Sequence, residues 1–156
     1  MTPDVNVLIA ASREEHVHHL TARDWLLEAC AQSAATRAGA GQPGNALRLI
    51  PQVMASFLRL VTNSRVFATP TQTHQAIAFL DALLDCPGIA MLDSSSTWPE
   101  FRQLCLDKNL SANAIPDALI AATVIQNTEV LATFDRDFFQ LLPPHQLHLL
   151  VNSDLG

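Results

Sequence analysis

Positive charge is scarce in this chain. Nine Lys and Arg stand against fifteen Asp and Glu among 156 residues, a formal net charge of -6. That balance argues against a protein that coats nucleic acid through bulk charge. It does not touch enzymes that act on nucleic acid through a carboxylate–metal site, which need acidity at one point only. Cysteine is equally sparse: Cys30, Cys86 and Cys105 are far apart, odd in number and without a C-x-x-C spacing. No disulfide framework is indicated, and reduced, buried thiols in a cytoplasmic protein are expected. No Gly-rich phosphate loop exists among the five glycines, which excludes nucleoside-triphosphate chemistry of that kind. No G-x-S-x-G occurs, and SSSTW (94–98) reads as a helix cap. The longest apolar candidate, ALIAATVI (118–125), falls far short of the roughly 18 residues of a membrane span. The N-terminal MTPDVNVLIAASREE lacks a basic n-region, so no signal peptide is expected.

What the chain has is apolar material, with 49% hydrophobic and 15% charged residues. A packed core and one domain over 1–156 are expected. Residues 16–30 read as a helix with Val17, Leu20, Leu27 and Cys30 on one stripe, followed by a loop over 31–45 that holds three of the five glycines. Further helices are expected over 52–62, with Val53, Phe57, Leu58 and Val61 inward; over 71–84, capped by Thr71 or Thr73; over 96–108; and over 116–126. Short apolar strands are expected at 46–51, 89–92, 130–134 and 147–151, the second and third buried. Strands alternating with helices indicate a parallel sheet covered on both faces, whose functional crevice lies at the strand C-termini.

Carboxylates fall where that crevice would be. Asp135 directly follows the strand VLATF, and Asp137 comes two residues later. Asp117 lies in the first turn of the helix beginning IPDALIAA. Asp4 ends a first strand if residues 1–4 are extended, and sits at the wrong end if VNVLIA is the strand; periodicity does not decide between them. Singly, each acid also fits an ordinary turn or helix-dipole role. Together they make a set whose mutual repulsion a hard divalent cation would relieve.

Six segments in order, PDVNVLIAA (3–11), HHLTARDWL (18–26), FLRLVTNSRVF (57–67), AIAFLDALLDCPGI (76–89), NAIPDALIAA (113–122) and VLATFDRDF (130–138), resemble the PIN-domain ribonucleases, in particular the VapC-type toxins of bacterial toxin–antitoxin pairs. The resemblance implies a three-layer α/β/α sandwich around a mainly parallel sheet of about five strands, with Asp4 at the end of strand one. It implies a metal-dependent endoribonuclease that hydrolyses RNA with Mg²⁺ or Mn²⁺ held by Asp4, Asp117 and Asp135, with Asp137 assisting. Asn6 and Thr133 match polar residues that support the metal ligands. The partners it implies are RNA, a small antitoxin protein and a second copy of the chain in a homodimer; no membrane is involved.

One departure matters. The family's second acid directly precedes the F-L-R motif, and here that position is Ser56. A hydroxyl is a poor ligand for Mg²⁺ compared with a carboxylate, though it can hold a metal-bound water. Glu14, Glu15 and Asp24 are the acids considered as substitutes. The competing reading is an impaired PIN-like binding protein that keeps the antitoxin or RNA surface. RNA binding against the net charge requires a basic rim, for which Arg13, Arg59 and Arg136 are the first candidates, with Arg65, Arg102 and Lys108 behind them. His16, His18 and His19 lack a completing zinc ligand and read as the polar face of a surface helix. Trp25 and Trp98 fit packing or an interface.

Overall fold

The computed structural model describes residues 1–41 and 46–151. In chain order the elements are β1 (Thr2–Pro3), α1 (Val5–Ser12), α2 (His19–Arg37), β2 (Arg48–Leu49), α3 (Pro51–Val61), α4 (Thr73–Leu84), β3 (Ala90–Met91), α5 (Trp98–Asp107), α6 (Ala114–Gln126), β4 (Leu131–Thr133) and β5 (Leu147–Leu149). Two short 3₁₀ turns, Arg136–Gln140 and Pro144–Gln146, join β4 to β5.

All strand pairs are parallel. β4 lies between β1 and β5, with Thr2 opposite Leu131 and Leu131 opposite Leu147. β2 pairs with β3, Arg48 opposite Ala90. The Arg48 N–H donates to the Met1 carbonyl at 2.8 Å and carries the layer across from β1 to β2. The ladders form a three-stranded sheet β1-β4-β5 and a two-stranded sheet β2-β3; joined through the Arg48–Met1 bond they read β3-β2-β1-β4-β5, and the winding reverses at β1. Right-handed crossovers then place the helices before β3 and those after it on opposite faces. The contacts agree: α1 packs on α2 and α3, α3 on α4, and α5 on α6. In such a layer a crevice opens beyond the strand C-termini at the reversal, here between β1 and β4.

The core is built from small and medium residues. Val7, Leu8 and Ala10 of α1 are fully buried, as are Phe57, Leu131 and Ala121. The face that α2 buries is Ala22, Leu26, Ala29 and Ser33, and α2 packs on α1. The stripe expected from the sequence points outward instead, with Val17, Leu20 and Leu27 exposed at 78%, 57% and 62%. Helical spacing fits either stripe, and packing on α1 leaves the smaller face inward. The helix also runs on through AQSAATR to Arg37, where a loop was expected, since alanine favours helix. Ser33 Oγ donates to the Ala29 carbonyl and accepts from the Leu47 N–H, both at 2.7 Å, which ties the end of α2 to the start of β2. The remainder of the expected loop, 42–45, lies outside the described residues.

Three local expectations are corrected. α4 is capped by Gln72, whose N–H donates to Gln75 Oε1 at 3.3 Å; the Thr71 hydroxyl accepts from Arg13 Nη1 instead. β3 is an edge strand with Met91 57% exposed, not a buried one. α6 begins at Ala114, so Pro116 sits inside its first turn, where the missing N–H costs nothing. The three cysteines are free and half-buried. Among the described residues, no helix is long and apolar enough to cross a membrane.

Candidate active site at the strand reversal

Asp4 is placed by two constraints. Its N–H donates to the Ala132 carbonyl at 2.8 Å and continues the β1–β4 ladder. Its extended backbone then caps α1, and Oδ1 accepts from the Val5 N–H at 2.6 Å. A strand end and a helix start thus meet at one residue, which settles the ambiguity at the N-terminus: residues 5–12 are helical. The carboxyl is 5% exposed, and its other oxygen accepts from Thr133 Oγ1 at 2.7 Å.

Thr133, the last residue of β4, is the hub. Its hydroxyl donates to Asp4 and accepts from Asn6 Nδ2 at 2.9 Å and from the Asp135 N–H at 3.0 Å. One donor and two lone pairs are all a hydroxyl has, so its capacity is filled. Asn6 Oδ1 in turn accepts from the Phe134 N–H at 3.3 Å, and Asp135 Oδ1 from the Asp137 N–H at 2.8 Å. Asn6 and Thr133, which sequence marked as supporting residues, hold the ends of β1 and β4 together.

A cavity of about 240 Å³ opens beside this network, lined by Asp4, Asn6, Ser56, Arg59, Asp117 and Asp135 among others. Three acids from distant segments therefore share one concavity. Burial pushes the Asp4 carboxyl up to about 6, against the pull of the Thr133 and Val5 hydrogen bonds and with the charges of Asp117 and Asp135 adding to the rise. Asp117 is also raised, first by burial and then by Asp135 and Asp137. Burial is the main cause of both shifts, and the neighbouring carboxylates add to it. Among the described residues, no three His, Cys, Asp or Glu side chains already stand as a set that could hold a metal ion. The acids share a cavity and a field rather than a finished coordination sphere.

The other candidates divide. Ser56 and Arg59 are one turn apart on α3 and both line the acid cavity. Asp137 lines the neighbouring cleft, with Asp117 common to both. Glu14 and Glu15 line a different groove near α4, and exposed Asp24 pairs with Arg23, so none of the three stands in for the missing acid. Arg13 is not a rim cation. It is 9% exposed, paired with Glu15, bonded to Thr71 and the Thr69 carbonyl, and 4.0 Å from the Phe67 ring. It straps the loop between α3 and α4 to the end of α1. Arg136 is exposed between Asp135 and Asp137; Arg65 and Arg102 are exposed and line neither acidic cleft.

One feature escaped the sequence. His16 and His18 lie ahead of α2, not on its polar face, and the His18 ring stacks on Phe134 at 4.4 Å and 12°. The contact joins segments far apart in the chain, so no spacing announces it.

The PIN domain family profile matches residues 1–141. Over 139 residues the chain is 35% identical to ribonuclease VapC25 of Mycobacterium tuberculosis, covering 86% of this chain and 88% of the relative. Over 136 residues it is 38% identical to ribonuclease VapC43 of the same organism, covering 86% and 85%. Among solved structures it is similar to VapBC2 of Rickettsia felis bound to a promoter DNA fragment, with TM-score 0.61, 17% identity and coverage of 96% and 98%. It is also similar to the sarcin–ricin loop cleaving toxin VapC20 of Mycobacterium tuberculosis, with TM-score 0.58, 14% identity and coverage of 88% and 92%. At those identities the structural likeness concerns the fold, while the family match and the closer sequence relatives assign descent: the chain belongs to the PIN-domain family, in its VapC ribonuclease branch.

Proposed function

We propose that the protein is a metal-dependent endoribonuclease that serves as the toxin of a toxin–antitoxin pair. The observation that carries this reading is the convergence of Asp4, Asp117 and Asp135 on one cavity at the strand reversal, with the carboxyls of Asp4 and Asp117 raised. The donor set is all oxygen and acidic, which suits Mg²⁺ or Mn²⁺. Asp4, Asp117 and Asp135 would hold the ion, with Asp137 beside them. When bound, the ion would supply an acidified water and polarise a phosphoryl oxygen.

The chain's own residues do the positioning. Thr133 and the Val5 N–H each hold one oxygen of Asp4, so its carboxyl plane is set before any substrate arrives. Arg59 is the cation lining the cavity and is placed to take a phosphate oxygen. Ser56, one turn away, offers a hydroxyl that can orient a water in place of the acid usual there.

The antitoxin partner and the RNA substrate rest on the VapC relatives and on the VapBC complex of similar fold. A homodimer is supported by exposed Leu20 and Leu27 on α2 and by exposed Trp98. The test is cleavage of single-stranded RNA with Mn²⁺ by wild type and Asp4→Asn. The wild type should cut and the variant should lose nearly all activity; equal rates would remove Asp4 from the mechanism. Ser56→Glu should tighten Mn²⁺ dependence by about tenfold. No gain there, together with no cleavage by the wild type, would favour the binding-protein reading.

A further inference from the structure

Next to the acid cavity lies a second cleft of about 360 Å³, and Asp117 forms part of both walls. Its size falls in the range of small-ligand sites, roughly 300–1,000 Å³. Leu110 and Leu141, both half-buried, give it an apolar floor. Lys108, Asn113, Gln140 and Asp137 also line it. Lys108 is the only lysine in the chain, and its ammonium enters no salt bridge among the described residues. Asn113 occupies the N-cap position of α6, yet its side chain makes no capping bond. A residue type suited to capping thus leaves its amide to line the cleft. The loop between α5 and α6 that carries these groups has two left-handed residues, Asn109 and Ala112, each at φ 48.

An apolar slot, edge amides that donate and accept, one free cation and a wall shared with the acids match the parts of a nucleotide. We infer that this cleft is a nucleotide subsite for the RNA residue adjoining the bond cut at the acid cavity. The base lies over Leu110 and Leu141 with its edge read by Asn113 and Gln140. Lys108 takes the neighbouring phosphate. The inference rests on the ribonuclease reading and deepens it, since it names where substrate selection is made.

The experiment uses the full chain. Wild type, Lys108→Gln and the double variant Asn113→Ala/Gln140→Ala are compared by steady-state cleavage of a single-stranded RNA library, and by RNA binding as salt is varied. Lys108→Gln should raise KM with little change in kcat. It should also make the slope of log affinity against log salt shallower by about 0.7, the loss of one single-strand phosphate contact. The double variant should flatten base preference at one position next to the cut and leave the other positions as they were. All these side chains are exposed, so melting temperatures should not move. Unchanged slopes and unchanged preference in variants of a wild type that cuts RNA would overturn the subsite alone. A wild type that neither binds nor cuts RNA would overturn the ribonuclease reading with it. Variants that weaken only capture of a protein partner would show a protein contact in its place.

Discussion

Replacing Thr133 by Val keeps the shape of the side chain and removes the hydroxyl on which the site converges. Three groups lose a partner: Asp4 Oδ2, Asn6 Nδ2 and the Asp135 N–H. The first loss dominates, because Asp4 is 5% exposed and water cannot replace the bond in place. A hydrogen bond to a charged group contributes about 1.5–3 kcal/mol, and a neutral one about 1 kcal/mol. Asn6 and Asp135 are less buried than Asp4 and can turn to water, so their losses count only in part. The expected cost is about 2–4 kcal/mol. For a domain of this length that lowers the melting temperature by roughly 5–15 °C. The same change should push the Asp4 carboxyl above about 6, since the Thr133 bond is the strongest influence holding it down. Urea unfolding at pH 7 reads the first effect and carboxyl titration by NMR the second. Thr133→Ser is the control, because it restores the hydroxyl and should recover most of both. A Val variant within about 0.5 kcal/mol of wild type, with Asp4 titrating where it did, would refute the hub.

Three further outcomes follow from the same geometry. The folded protein holds Asp4 at about 6 against an ordinary 3.8, so the native state binds the proton more tightly and loses stability as pH rises from about 4 through 6. The displacement corresponds to about 3 kcal/mol; Asp4→Asn should therefore gain on wild type by up to that amount between pH 4 and pH 7.5 in paired urea titrations, and a constant difference would contradict it. Gly88 has φ +86, and a Cβ there would collide with the Ser33 carbonyl oxygen, so Gly88→Ala should lower stability by at least about 2 kcal/mol in thermal melts. Ala112, with φ 48, is the reverse case: Ala112→Gly should raise stability by about 1 kcal/mol, and a loss would show that the loop does not hold that conformation in solution.

Sequence alone reported most of the framework and where its acids gather. Short apolar strands between helices report a parallel sheet, because a strand buried on both faces has no polar positions to spare. Asp135 behind VLATF and Asp117 at the start of IPDALIAA report a rim of acids, because in such a sheet strand ends and helix starts gather at one edge. Ser56 was visible as a departure for the same reason: one position in a motif is read locally. What sequence could not decide was anything set by a partner far along the chain. Leu20 and Leu27 satisfy helical spacing as well as Leu26 does, and only the packing of α2 on α1 selects the face that is buried. Arg13 has the composition of a rim cation until Thr71, the Thr69 carbonyl and Phe67 close around it. Periodicity left Asp4 open and the family resemblance put it at the end of strand one; the Ala132 carbonyl of β4 is what makes it a strand end. Nor could any local pattern place Asp137 and Lys108 in a cleft of their own, because cavities are made by the packing of loops and helix ends, and packing is not periodic.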